Sequence, residues 1–161
     1  MKYSRFEDLP VWQAAMKLTE QVFAVTESKS FSYKGDLRSQ LQRAALSVAN
    51  NVAEGFERGT TQELITFLYI ARGSAGEVRS MLCLCERLPA FGHLKSEISN
   101  LKSQAESISR QLRAWADSLQ HTEIKGQRYL TDKTRTVDEQ KKRTEVFLEK
   151  LKSAQRKGSS T

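Results

Sequence analysis

The chain has 161 residues, enough for one domain with a real core plus an appended segment, and carries 26 Lys and Arg against 19 Asp and Glu for a net charge of +7. No apolar run approaches the roughly 18 residues of a membrane span, and the opening MKYSRFEDLP has no signal-peptide core. These features point to a cytoplasmic protein with no membrane contact. Cys83 and Cys85 have no second cysteine pair, and His93 and His121 stand alone in polar surroundings. That is a poor pattern for zinc or a disulfide, so no metal or cofactor is expected and the thiols read as buried and inert.

The excess charge is uneven. Residues 1–120 carry 15 cationic and 13 anionic side chains, whereas residues 121–161 carry 11 and 6. A basic tail is either a solvated helix or the electrostatic footprint of a nucleic-acid partner, and charge alone does not choose between them.

Along the chain the apolar period is helical almost throughout. Val11, Ala15, Leu18, Val22 and Val25 recur at helical spacing, with Asp8 as a candidate N-cap and Pro10 in the first turn, which predicts a helix over about 9–28. SKSFSYKG breaks the pattern. Leu37, Leu41, Ala44, Val48 and Val52 resume it over about 35–56, and Gly55 and Gly59 bracket the next turn. Thr60 with Glu63 three residues on has capping-box spacing, so a third helix starts there and carries Leu64, Phe67, Ala71, Ala75, Val78, Leu82 and Cys85 until Pro89 and Gly92 stop it. A fourth repeats Ile98, Leu101, Ala105, Ile108, Leu112, Trp115 and Leu119 at heptad spacing. Short connections favour antiparallel neighbours, and the expectation is an all-α, antiparallel up-down four-helix bundle over residues 1–120. Residues 121–133 read as a linker, and TVDEQKKRTEVFLEKLKSAQRK as a candidate fifth helix with Val137, Thr144, Leu148 and Leu151 on a thin apolar face. The 121–161 segment is thus a basic tail, helical or partly disordered.

One polar stripe interrupts the second helix. Arg43, Ser47, Asn50, Asn51 and Glu54 follow 3 and 4 spacings beside its apolar seam, although Asn gains nothing from a helix interior. The third helix offers Arg72, Ser74 and Glu77, close to Gly73 and Gly76, and mid-helix glycines suggest that another group comes close. The stripe reads as a network satisfied by a neighbouring helix, in the same or an adjacent subunit. A direct ligand or RNA contact is the alternative, since Arg and Asn suit phosphate and base edges. Catalysis has no support: there is no nucleophile with its base, no metal set and no Gly-rich phosphate loop after a strand. The Gly59–Thr61 turn before the third helix reads as an ordinary cap rather than an anion site.

FEDLPVWQAAMKL (6–18), LRSQLQRAALSVANNVAEGFERGTTQEL (37–64) and FLYIARGSAGEV (67–78) together resemble the 23S rRNA intervening-sequence protein family. The likeness spans about residues 6–119. It implies a four-helix bundle that assembles into a ring-shaped homopentamer, and the fold is similar to that of the accessory protein of diversity-generating retroelements, which binds a reverse transcriptase and its template RNA. The family's signature falls on Arg43, Ser47, Asn51, Glu54, Gly55 and Arg58, then on Arg72, Gly73, Ser74 and Glu77. FSYKGDLRSQ departs from the more acidic, proline-containing lead of many relatives, and the tail lies outside the likeness.

Two functions follow as expectations. The first is a non-enzymatic, oligomeric RNA-associated accessory protein, with a reverse transcriptase as a candidate partner. In it Lys125, Arg128, Lys133, Arg135, Lys141, Lys142 and Arg143 supply affinity for phosphates without reading sequence. The second is a protein-interaction scaffold with no direct nucleic-acid contact, favoured by Asp138, Glu139, Glu145 and Glu149, which dilute the basic face.

Overall fold

The computed structural model describes residues 3–32, 35–121 and Thr144. Four long helices, α1 (Pro10–Thr26), α3 (Gly35–Glu57), α4 (Thr61–Arg87) and α5 (Lys95–Gln120), form an all-α bundle, with one short helix, α2 (Lys29–Ser32), between the first two. No strand occurs among the described residues. The packing order is α1 against α3, α3 against α4, α4 against α5, and α5 back against α1. The cross-helix bonds show α4 running antiparallel to both α3 and α5. Ser47 meets Ser74 near the middle of α3 and α4 while Arg58 meets Glu63 at their shared corner, and Lys102 meets Glu86 at one end of α4 and α5 while Gln120 meets Tyr69 at the other.

The core follows the apolar stripes. Leu18 and Val22, Leu41, Val48 and Val52, Leu64, Val78 and Leu82, and Ile98, Ile108 and Leu112 are all at most 1 % exposed. Each such side chain contributes about 1.5–3 kcal/mol through burial. Five residues of the expected stripes are half-buried, Val25 on α1 and Leu37 on α3 among them. On α4 the buried residue is Leu68 and Phe67 is half-buried; on α5 it is Ala116, with Trp115 and Leu119 half-buried. A straight helix drifts about 20° per heptad, so on α5 a strict 3,4 count slides off the core by the last turns, at Trp115 and Leu119.

The ends of the helices correct two further expectations. Asp8 does not cap α1: it closes a 3-10 turn over Phe6–Asp8, and the N-cap is Leu9, 4 % exposed, with Pro10 at the first helical position. The SKSFSYKG break contains the single turn α2, held because Phe31 is fully buried edge-on against Phe91 at 4.7 Å and Ser30 Oγ donates to the Ala90 carbonyl at 2.8 Å. The capping box at α4 forms as expected. Thr60 Oγ1 accepts from the Glu63 N–H at 3.2 Å and donates to the Glu63 carboxylate at 2.7 Å.

Candidate functional site

The two flanks of α4 carry the polar residues singled out in the sequence, and the helix rotation of 100° per residue sorts them. Ser74 and Glu77 face α3. Arg72 does not: it lies seven residues before Arg79, hence on the same flank, and the Arg79 guanidinium reaches Glu106 of α5 at 3.6 Å. The expected network therefore loses Arg72, which falls on the α5 flank.

On the α3 flank the bond order is directional. Asn51 Nδ2 donates to the Ser47 carbonyl at 2.7 Å and to Ser47 Oγ at 2.9 Å; Ser47 Oγ lies 3.0 Å from Ser74 Oγ; and Ser74 Oγ donates to the Ile70 carbonyl at 3.2 Å. Since Asn51 supplies one proton and Ile70 takes the last, Ser47 donates to Ser74. This chain explains Asn51 and Ser47 inside a helix. Small hydroxyls satisfy one another there at little volume, so the helices pack closely. Just below, Gly55 is buried, and a Cβ on it would stand 2.6 Å from Phe67 Cβ and 3.3 Å from Leu64 Cδ1. The close approach expected at Gly73 and Gly76 is found instead at Gly55. Around those two there is open space, with nothing within 4 Å of a built Cβ.

Glu54 and Arg58 lie outside the seam. Their carboxylate and guanidinium pair at 2.6 Å along α3, both about half exposed, and Arg58 also reaches Glu63 at 3.8 Å and lies over the Phe67 ring at 5.1 Å. The Glu54 hydrogen bond raises the Arg58 pKa above its ordinary value. Among the described residues, then, Glu54 is held by Arg58 on its own chain segment, and Arg58 links it to Glu63 of α4. Asn50 is exposed, and Asn50, Arg43, Arg72 and Glu77 have no hydrogen bond or ion pair among the described residues. Arg43, Ser47 and Glu77 line a groove of about 420 Å³ between α3 and α4, with Gln40, Ser80 and Met81. Leu46, Ile70 and Leu84 are 39–48 % exposed on the outer faces of the same two helices.

On the α5 flank the partners are long and charged. Glu106 is shared by Arg79 at 3.6 Å and Arg110 at 3.1 Å, Arg113 approaches Asp117 at 3.5 Å, and Lys102 bonds Glu86 at 2.5 Å. The Glu86 bond, with the neighbouring Cys83 adding to it, raises Lys102 above the usual lysine range. Cys85 is buried, and desolvation pushes its thiol up to about 11, whereas Cys83 is half-buried, against expectation.

Sequence reasoning missed Thr19 and Thr26. Thr19 Oγ1 donates to the Ala15 carbonyl at 2.9 Å or the Ala45 carbonyl at 3.0 Å, and Thr26 Oγ1 accepts from Gln42 Nε2 at 2.7 Å, which ties α1 to α3. Threonine in a helix commonly bonds the carbonyl four residues back, so only the second acceptor marks a contact, and nothing local signals it. Lys125, Arg128, Lys133, Arg135, Lys141, Lys142 and Arg143 lie outside the described residues. Among the described residues no group of three or more His, Cys, Asp or Glu is placed to hold a metal, and no helix is long and apolar enough to cross a membrane.

These features define a small helical-bundle protein whose polar residues join helices and whose α3 and α4 carry exposed apolar side chains. The chain belongs to the 23S rRNA-intervening sequence protein family, whose model matches residues 7–114. Among solved structures it is similar to a protein of unknown function from the S23 ribosomal protein family of Bacteroides thetaiotaomicron VPI-5482, at 17 % identity and a TM-score of 0.57 over 66 % of this chain and 97 % of that one. At that identity the likeness extends to the fold. A comparison with curated proteins finds no match.

Proposed function

We propose that this protein is a non-enzymatic, homo-oligomeric accessory protein that associates with RNA. The observation that carries the reading is the open outer surface of α3 and α4. Gly73 sits in mid-helix with nothing within 4 Å of its Cβ position, at a cost of about 1 kcal/mol relative to Ala. On the same two helices Arg43, Asn50 and Glu77 have no ion pair or hydrogen bond among the described residues, and Leu46, Ile70 and Leu84 are exposed. A surface of this kind, with exposed apolar side chains beside groups of both signs, suits a second copy of the chain. The resemblance gives five as the number of copies. RNA association is supported by the +5 balance of residues 121–161 and by the family's description.

Sedimentation of the full chain is expected to give a mass several times 18.3 kDa, and Gly73→Leu is expected to shift it toward one copy while the helical content stays. A single-copy mass for the unaltered chain would overturn the oligomer. Purification with nuclease, followed by RNA binding at two salt concentrations, tests the other half. Salt-sensitive retention of RNA is the expected result. The second reading is a scaffold for another polypeptide, such as a reverse transcriptase, favoured by the acidic residues Asp138, Glu139, Glu145 and Glu149 in the tail. Partner retention that survives nuclease would select it.

A further inference from the structure

The described bundle is electrically balanced, yet its cations are not evenly placed. Residues 3–32 and 35–121 carry 13 Lys and Arg and 13 Asp and Glu, but the junction of α4 and α5 gathers Arg72, Arg79, Lys102, Arg110 and Arg113 around only three carboxylates, Glu86, Glu106 and Asp117. Glu106 serves two guanidiniums at once, and Arg72 has no partner among the described residues. The side chains of Arg79, Arg110 and Arg113 remain 43 %, 69 % and 64 % exposed, so the pairs are loose and each fork keeps donors pointing to water.

Two further features shape this band. Gly76 lies between Arg72 and Arg79 with nothing within 4 Å of its Cβ position, which leaves the floor between the arginines bare. At one end Tyr69 is 39 % exposed, and its hydroxyl accepts from Gln120 Nε2 at 3.1 Å, a bond that steadies the ring beside the arginines. Arginine forks take phosphate oxygens two at a time, and an exposed aromatic ring offers any base a face to stack on. A row of forks ending in a ring matches a polyanion that carries planar groups. An acidic protein has the charge but lacks the bases.

We infer that the α4/α5 face, through Arg72, Arg79, Arg110 and Arg113 with Tyr69 as a stacking platform, is a binding site for single-stranded RNA on the bundle itself, separate from the basic tail. This rests on the reading of the chain as RNA-associated and names where on the bundle the RNA lies. Contacts of this kind give affinity and orientation with little sequence preference.

The test is binding of the full chain to a fluorescently labelled single-stranded RNA of mixed sequence, about 20 nucleotides long, over a salt series. Arg110→Gln with Arg113→Gln is expected to weaken binding about tenfold at low salt and to reduce the slope of log affinity against log salt by about 1.4, two phosphate contacts at about 0.7 each. Tyr69→Ala is expected to cost about fivefold or more with the slope unchanged, and Arg110→Lys with Arg113→Lys to restore the slope. Lys17→Gln with Arg38→Gln removes the same charge from exposed positions elsewhere and is expected to leave the slope nearly intact. A control pair that loses as much as the arginine pair would overturn the site, and so would polyglutamate competing as well as RNA at equal charge. If the unaltered chain binds RNA and the arginine and tyrosine variants match it, the band fails while RNA association stands. If the unaltered chain binds no RNA, both fall together.

Discussion

The two flanks of α4 solve the same packing problem with opposite chemistry. Toward α3 the middle of the seam is short and neutral, with the Arg58–Glu63 pair set apart at the corner: the Asn51–Ser47–Ser74–Ile70 chain, then Gly55, where α3 comes close enough to α4 that no Cβ fits beside Phe67. Toward α5 the cross-helix pairs are long and charged, Arg79–Glu106 about half exposed and Lys102–Glu86 less so at 29 % on each side, with the Tyr69–Gln120 bond beyond them. The arginines that α5 itself pairs at Glu106 and Asp117 remain largely in water. Short hydroxyls lose little side-chain entropy and are satisfied without solvent, whereas exposed ion pairs gain little because water already screens them. The α3 flank is therefore the one that fixes how helices mate, and the α5 flank has charge available for a partner.

The comparison breaks most visibly at Gly55. Gly55→Val places a side chain where Phe67 already stands, and urea unfolding is expected to show a loss of about 2–3 kcal/mol from overpacking. An unchanged midpoint would mean that α3 and α4 are not in close contact there. A smaller effect is expected at Ser74, which is 8 % exposed. Ser74→Ala leaves the Ser47 hydroxyl without its acceptor, at about 1 kcal/mol. Because the two serines share one bond, Ser47→Ala combined with Ser74→Ala should cost less than the two single losses together. Additive losses would remove Ser47–Ser74 from the seam.

How much of this was legible in the sequence differs by flank. The bundle was, because Leu18 and Val22, Leu41 and Val48, Val78 and Leu82, and Ile108 and Leu112 recur at helical spacing, and all of them are buried. The presence of a polar seam was legible too, since Ser47 and Asn51 sit at i and i+4. Its membership was not. Arg72 and Ser74 are neighbours in sequence but about 200° apart on the helix, so only the rotation of α4 against its two partners decides that one faces α5 and the other α3. Gly55, Gly73 and Gly76 look alike as letters. The difference lies in Phe67, a dozen residues beyond Gly55, which fills the space above the first and is absent above the others.

The smallest effect tests the α5 flank. Glu106→Gln removes the carboxylate shared by Arg79 and Arg110 but keeps its length and its ability to accept a hydrogen bond. All three side chains are 43–69 % exposed, so solvent screening limits the loss to less than about 0.5 kcal/mol. Relative to Ser74→Ala this is small even though a formal charge disappears, which is the inverse of what counting ion pairs would give. The same substitution unties two guanidiniums and adds one unit of net positive charge to the face. RNA affinity is therefore expected to rise about twofold or more at low salt and to converge with that of the unaltered chain as salt screens the added charge. A stability loss above about 1 kcal/mol, measured by urea unfolding, would instead place this pairing among the contacts that hold the bundle together and erase the contrast between the flanks.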